Sequence, residues 1–167
     1  MNVLITKEQR RVAYAAYKTD DRPALQCVSI KDGKMRAANG FILAEAKIDC
    51  DEEMLIPASS ILKAKDSNGI GGVIVSKKEN NIKIMDANGE LTIPQGEGNF
   101  PTTEHLFPKD EPVFQIGMSH EVLSALVSVI GKDNLVKLTF YGSKIAAKFE
   151  VVDSDIKGIF MPANVEG

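Results

Sequence analysis

The chain has 167 residues, with 20 Lys and Arg against 23 Asp and Glu, for a formal net charge of −3. Hydrophobic residues make up 44% and charged residues 26%, which excludes wholesale disorder and fits one ordinary domain or two small ones. No apolar run approaches the roughly 20 residues of a membrane span, Met1–Arg11 lacks a secretory apolar stretch, and the acid total excludes only a uniformly basic nucleic-acid binder.

Hydrophobic periodicity predicts a short strand, an amphipathic helix and then further strands, three times over. The first strand is Asn2–Thr6. A helix follows from Lys7 to about Lys18, with Thr6 as N-cap and Gln9 three residues on, a capping-box spacing. It stops at the polar break Thr19-Asp20-Asp21-Arg22-Pro23. Strands are expected at Ala24–Ile30, Lys34–Ala38 and Phe41–Ile48, with Asp32-Gly33 and Asn39-Gly40 at the turns. The second unit opens with Met54–Ile56. Pro57 suits the first turn of a helix over Ala58–Lys65, which ends at Asp66-Ser67-Asn68-Gly69. Strands follow at Gly72–Lys77, Asn81–Asp86 and Glu90–Pro94. A Pro-rich connector runs from Phe100-Pro101 to Pro112. The third unit has a strand at Val113–Gly117 and a helix at Ser119–Ile130 capped by Ser119. Its strands are expected at Leu135–Tyr141, Ser143–Val151 and Ile156–Met161. Val122, Leu123, Leu126 and Ile130 share one helical face, as a helix lying on a sheet requires. The class is α+β, with antiparallel sheets and helices on one face.

Signals for catalysis are poor. His105 sits in the connector and His120 in a first helical turn, far from any nucleophile pattern. Asp49-Cys50-Asp51-Glu52-Glu53 reads as a solvated charge run rather than a metal site. Gly69-Ile70-Gly71-Gly72 precedes a strand, so it is a turn and not a phosphate-binding loop. Cys27 and Cys50 make no disulfide framework; they read as small core residues of a reduced, cytoplasmic protein. No enzyme activity, cofactor or metal is expected.

The first helix is more informative. At helical spacing Lys7, Arg10, Arg11, Tyr14 and Lys18 form one stripe with no acid at its centre. It reads either as a solvated face or as a phosphate-contacting surface, because clustered Lys and Arg release counterions from a polyanion. A second feature is apolar residues at places open to solvent: Phe41-Ile42-Leu43 directly after a turn, and Ile159-Phe160-Met161-Pro162. These are either strand core or one side of a shallow groove for a partner's peptide.

In this order the residues resemble the bacterial replicative sliding clamp, the beta subunit of DNA polymerase III. Arg22-Pro23-Ala24-Leu25, then Ala38-Asn39-Gly40-Phe41-Ile42-Leu43-Ala44, resembles the family's middle domain, where Ala-Thr-Asp-Gly-His-Arg-Leu-Ala is usual. Leu55-Ile56-Pro57-Ala58 is similar to the opening of that domain's second helix. Gly98-Asn99-Phe100-Pro101 and Leu106-Phe107-Pro108-Lys109 are similar to its close. Gly158-Ile159-Phe160-Met161-Pro162-Ala163 resembles the family's C-terminal Met-Pro-Met, with Ala163 in place of the last Met.

The resemblance implies a DNA-clamp architecture of three β-α-β-β-(β) units. Residues 1–108 would be one clamp-like domain of two units, and residues 109–167 a single further unit, a half domain. It implies sequence-independent contact with double-stranded DNA through Lys7, Arg10, Arg11, Tyr14 and Lys18, with Arg22 and Lys63 as weaker candidates. It implies a partner-peptide groove from Asn39, Gly40, Phe41, Ile42, Leu43, Pro108, Ile159, Met161 and Pro162, where Phe41 and Ile42 stand for the family's His and Arg. The expected partners are duplex DNA and a DNA polymerase or other replication or repair protein docking a short peptide, with a homo-oligomer as a possible assembly and no membrane. The family's ring closes through its first domain, which the resemblance does not include. A peptide-binding adaptor or decoy without DNA encirclement therefore stands as the alternative.

Overall fold

The computed structural model describes residues 2–19, 22–67 and 69–163. Asp20, Asp21 and Asn68 of the predicted loops lie outside the described residues. The chain divides into two compact units, Met1–His105 and Leu106–Gly167.

The first unit holds eight strands: β1 (Asn2–Thr6), β2 (Cys27–Lys31), β3 (Lys34–Ala38), β4 (Leu43–Lys47), β5 (Met54–Pro57), β6 (Gly72–Lys78), β7 (Asn81–Asp86) and β8 (Gly89–Pro94). A 3-10 helix, Gln9–Ala15, follows β1, and the helix α1, Ala58–Lys63, follows β5. Two four-stranded antiparallel sheets result, in the orders β1-β6-β7-β8 and β4-β3-β2-β5. Each half of the unit therefore gives its opening strand to the sheet of the other. β1 pairs with β6, Thr6 facing Gly72, and β5 pairs with β2, Ile56 facing Val28. The exchange fuses both halves around one core that includes Ile5, Val28, Ile30, Met54, Ile61 and Val75. No aromatic side chain is among its buried residues, in keeping with the aromatic-poor composition. Cys27 and Cys50 are buried free thiols, and burial pushes the Cys27 pKa up to about 11.

Several predicted elements change on packing. The helix predicted over Lys7–Lys18 is a 3-10 helix of seven residues. Its capping box forms as expected: the Thr6 N–H donates to Gln9 Oε1 at 2.8 Å and the Gln9 N–H to Thr6 Oγ1 at 3.2 Å. Beyond it, Val12, Ala13, Ala15 and Ala16 are all buried, and tertiary contact overrides helix propensity. The strand predicted from Ala24 starts at Cys27, because Pro23–Gln26 forms a 3-10 turn. The strand predicted from Phe41 starts at Leu43. Asn39 Oδ1 accepts from the N–H groups of both Phe41 and Ile42 at 3.0 Å, which holds these two residues in the turn.

Arg36 on β3 is buried with its charge. It donates to Glu45 at 2.7 Å and pairs with Glu104 at 2.6 Å, while Lys34 reaches Glu45 at 3.3 Å. The hydrogen bond from Arg36 outweighs burial and holds the Glu45 carboxyl below its ordinary value. Glu104 is also lowered, by its own backbone N–H and then by Arg36. A carboxyl with a depressed folded pKa stabilises above its unfolded value, and that stability is lost as pH falls through the folded one. Urea midpoints are thus expected to fall on acidification below about pH 4, and Glu45→Gln to flatten that dependence. A wild-type profile no steeper than the variant's would contradict this.

The second unit holds α2 (His120–Ile130) and an antiparallel sheet of β9 (Val136–Thr139), β10 (Ala147–Val151) and β11 (Lys157–Phe160), in the order β11-β10-β9. Ser119 caps α2, its Oγ accepting from the Val122 N–H at 3.3 Å. Leu126, Ala147, Phe149 and Phe160 form a small core with Val122, Ile130 and Leu138 around it. Leu123, predicted on the same face, is 40% exposed. Among the described residues Val113–Gly117 forms no strand, and of these five residues Gly117 alone bridges, to Ala163. No helix among the described residues is long and apolar enough to cross a membrane.

Candidate nucleic-acid interface and peptide hollow

The 3-10 geometry redraws the basic stripe. With three residues per turn, the outward line of the first helix is Glu8, Arg11 and Tyr14, all exposed. Glu8, placed off the stripe by α-helical spacing, joins it. Lys7 lies before this helix and Lys18 beyond it, both exposed, and Tyr14 is 71% exposed. Among the described residues no ion pair engages Lys7, Arg11, Lys18 or Lys63. Lys63 ends α1, which packs beside the 3-10 helix. A hollow between the two helices is lined by Tyr14, Tyr17, Lys18, Leu62 and Gln95.

Arg10 leaves the stripe altogether. Its side chain is only 14% exposed and pairs with Asp66. Its Nε donates to the Ile61 carbonyl at 3.2 Å, and Nη2 donates to the Ala64 carbonyl. These carbonyls close the end of α1, where a helix leaves acceptors unsatisfied. Arg10 is therefore a bolt between the two halves of the first unit and is unavailable to a phosphate.

Arg22 also moves. Its guanidinium lies 5.7 Å from the centre of the Tyr17 ring and beside Gly40 of the exposed turn. Arg22, Pro23, Ala24, Leu25, Gly98 and Pro101 line a hollow of about 440 Å³ there. Gly40 takes a left-handed φ of +87°, which turns the chain back into β4. Phe41 is 97% exposed and Ile42 55% exposed, so neither fills a pocket of its own chain. Asn39, Gly40, Phe41, Ile42 and Leu43 belong to the first unit, and Pro108, Ile159, Met161 and Pro162 to the second. Ile159 and Met161 are exposed apolar side chains. Sequence reasoning missed Arg22 as a member of the hollow; its place beside Pro23-Ala24-Leu25 was the available signal.

Among the described residues no group of three or more His, Cys, Asp or Glu is placed to hold a metal ion. The His120 ring lies 3.3 Å from Ser124 Oγ on the exposed face of α2.

Solved structures share this architecture. A putative DNA polymerase III beta subunit from Eubacterium rectale superposes with a TM-score of 0.65 at 11% identity, over 97% of this chain and 50% of that one. The fold is that of a sliding clamp. The DNA polymerase III beta chain from Streptococcus pneumoniae gives a TM-score of 0.62 at 18% identity, covering 96% of this chain and 51% of its own. The DNA polymerase sliding clamp from Pseudomonas aeruginosa gives 0.58 at 15% identity, covering 99% and 67%. The chain thus spans about half the length of the first two sliding-clamp structures. No family model and no curated protein matches it. The sliding-clamp fold accounts for the paired halves of the first unit and for the repeat seen in the sequence.

Proposed function

We propose that this chain is a cytoplasmic, non-catalytic clamp-like factor that holds duplex DNA without reading its sequence and tethers a replication or repair protein to it. Residues 1–108 serve as a clamp-like domain and residues 109–167 as a half domain. The observation that carries this reading is a sliding-clamp fold whose helix-bearing region keeps Lys7, Arg11, Lys18 and Lys63 exposed and, among the described residues, without ion pairs. Charges held this way contact phosphates diffusely and fix no register, which suits a protein that slides. The hollow beside Arg22 and the exposed Phe41 and Ile42 suit a short apolar peptide from a polymerase or another enzyme, and tethering raises the partner's local concentration.

Anisotropy with a fluorescent duplex tests the DNA part. The triple variant Lys7→Glu/Arg11→Glu/Lys18→Glu is expected to lose about tenfold or more in affinity, with a salt slope shallower by about 0.9 for each phosphate contact removed. Wild-type binding that is absent, insensitive to salt or untouched by the reversals would end this reading.

A peptide-binding adaptor that never engages DNA is the second reading. It is favoured by Glu8 within the outward line and by the engagement of Arg10 elsewhere, which together thin the basic surface. Peptide binding with no duplex affinity would select it.

A further inference from the structure

Between the first helix and α1 lies a hollow of about 500 Å³, within the size range of small-molecule sites, and all its lining residues belong to the first unit. Small and ring-closed side chains keep it open. Ala13 and Ala16, in and just after the 3-10 helix, are buried, and Pro57, Pro94 and Leu62 add apolar surface. At Gly96 an added Cβ would stand 2.4 Å from Cys27 Sγ and 3.1 Å from Leu55 Cγ, so the wall tolerates no side chain there.

Two tyrosines line the same hollow. Tyr14 is exposed, and Tyr17 is half-buried and held in place. The Tyr17 N–H donates to the Leu25 carbonyl at 2.8 Å, and its ring carries the Arg22 guanidinium. Lys18 brings a positive charge to the lining and Glu97 a negative one.

Gln95 supplies an amide. Its backbone N–H donates to the Asn80 carbonyl at 2.8 Å, and the Gly96 N–H to the Leu55 carbonyl at 2.8 Å, which fixes where the side chain starts. Its Oε1 is buried and has no hydrogen-bond partner among the described residues. A buried carbonyl left unpaired is destabilising, and a donor from a ligand removes that cost. The terminal amide turns about a soft torsion, so it can offer its C=O and NH2 together to one ligand edge.

We infer that this hollow binds one unpaired adenine nucleotide. The base lies against the tyrosine rings, since stacking on an aromatic face holds a base that has left its pair. The Gln95 amide matches the neighbouring donor and acceptor of the adenine N6 and N7 edge, which gives Oε1 its missing donor. Lys18 meets the phosphate, and Glu97 accepts from a sugar hydroxyl. The inference does not rest on duplex binding. Its ligand is a free nucleotide or an unpaired one within a strand.

Two of the three tyrosines line the hollow and the chain has no tryptophan, so stacking is read as quenching of tyrosine emission. Titration of the full chain with dAMP is expected to saturate at one site, with dTMP weaker by about fivefold or more. An oligo-dA strand separates the sources: tighter binding than dAMP marks a base within a strand, and equal binding marks the free nucleotide. Ser59→Phe fills the hollow from an exposed position and is expected to abolish binding with the circular dichroism spectrum intact. Gln95 also borders a smaller hollow with Ser29 and Lys77, which Ser59 does not line. Gln95→Leu is expected to weaken dAMP and erase its advantage over dTMP. Lys7→Glu/Arg11→Glu is expected to leave dAMP binding intact and Ser59→Phe to leave duplex binding intact, so either reading can fail alone. No saturable dAMP binding, dTMP binding as tight, or dAMP binding indifferent to Ser59→Phe or Gln95→Leu would overturn the inference.

Discussion

Replacing Arg10 by alanine is expected to destabilise the first unit by about 2–3 kcal/mol, as the loss of a charged hydrogen-bond hub does. The side chain joins the 3-10 helix to the end of α1, donating to the carbonyls of Ile61 and Ala64 and pairing with Asp66. Removal leaves two carbonyls and a carboxylate without their donor at a site that is 14% and 35% exposed on its two sides. Water repays part of this loss, which keeps the cost below that of a fully buried pair. Arg10→Lys is expected to recover less than half, because one ammonium cannot span three acceptors held by a planar fork. Denaturant midpoints measure the loss. Duplex affinity, read under conditions where the variant remains folded, is expected to stay within about twofold of wild type, because no phosphate contact is removed. A stable Arg10→Ala protein with strongly weakened DNA binding would return Arg10 to the surface stripe.

Arg10 also shows where sequence reading stops. Its partner Asp66 is 56 residues away, and nothing local signals that a basic residue on a helical stripe will turn inward. The capping box of Thr6 and Gln9 is legible because all its atoms lie within four residues. The strands Asn2–Thr6, Lys34–Ala38 and Asn81–Asp86 are legible for the same reason: alternation and flanking turns are local properties. The helix type is not. The register of Glu8, Arg11 and Tyr14 is set by three residues per turn, and buried alanines packed on the sheet decide that.

The exchange of opening strands lies beyond periodicity too. Alternation marks Asn2–Thr6 and Met54–Ile56 as strands but not their partners, β6 and β2. The same limit explains Val113–Gly117. Its alternation predicts a strand, yet a strand exists only where an edge accepts it, and among the described residues only Gly117 of this segment finds a bridge partner. Phe41 differs in another way: alternation predicts a strand from Phe41, whereas the Asn39 side chain captures the two N–H groups that a ladder would use and β4 starts at Leu43. On the candidate site, the exposed basic residues and the exposed turn were visible as patterns. The association of Arg22 with Tyr17 and Gly40 required the folded chain.

Gly72→Ala is expected to cost about 3 kcal/mol, at the upper end of overpacking effects. A methyl group at Gly72 would stand 2.2 Å from the Ile5 carbonyl oxygen and 2.9 Å from Thr6 Cα. Both are backbone atoms, so no rotamer change relieves the clash; β1 itself must shift. That strand is anchored by Val3 and Ile5, both buried in the shared core, and its displacement loosens the exchange that joins the halves. Gly69→Ala serves as the control. It has open space around its added methyl group but a φ of +84°, so it is expected to cost only about 1 kcal/mol of backbone strain. Denaturant midpoints give the totals, and amide exchange shows how the strain is released. Faster exchange confined to Asn2–Thr6, with a reduced denaturant slope, would mean that β1 detaches while the remaining sheets hold. A uniform loss of protection with an unchanged slope would mean that the exchanged strand and the core unfold together, which is the expected result given how deeply Val3 and Ile5 are buried. Gly72→Ala with a midpoint equal to wild type would show that β1 leaves room for a methyl group beside the Ile5 carbonyl.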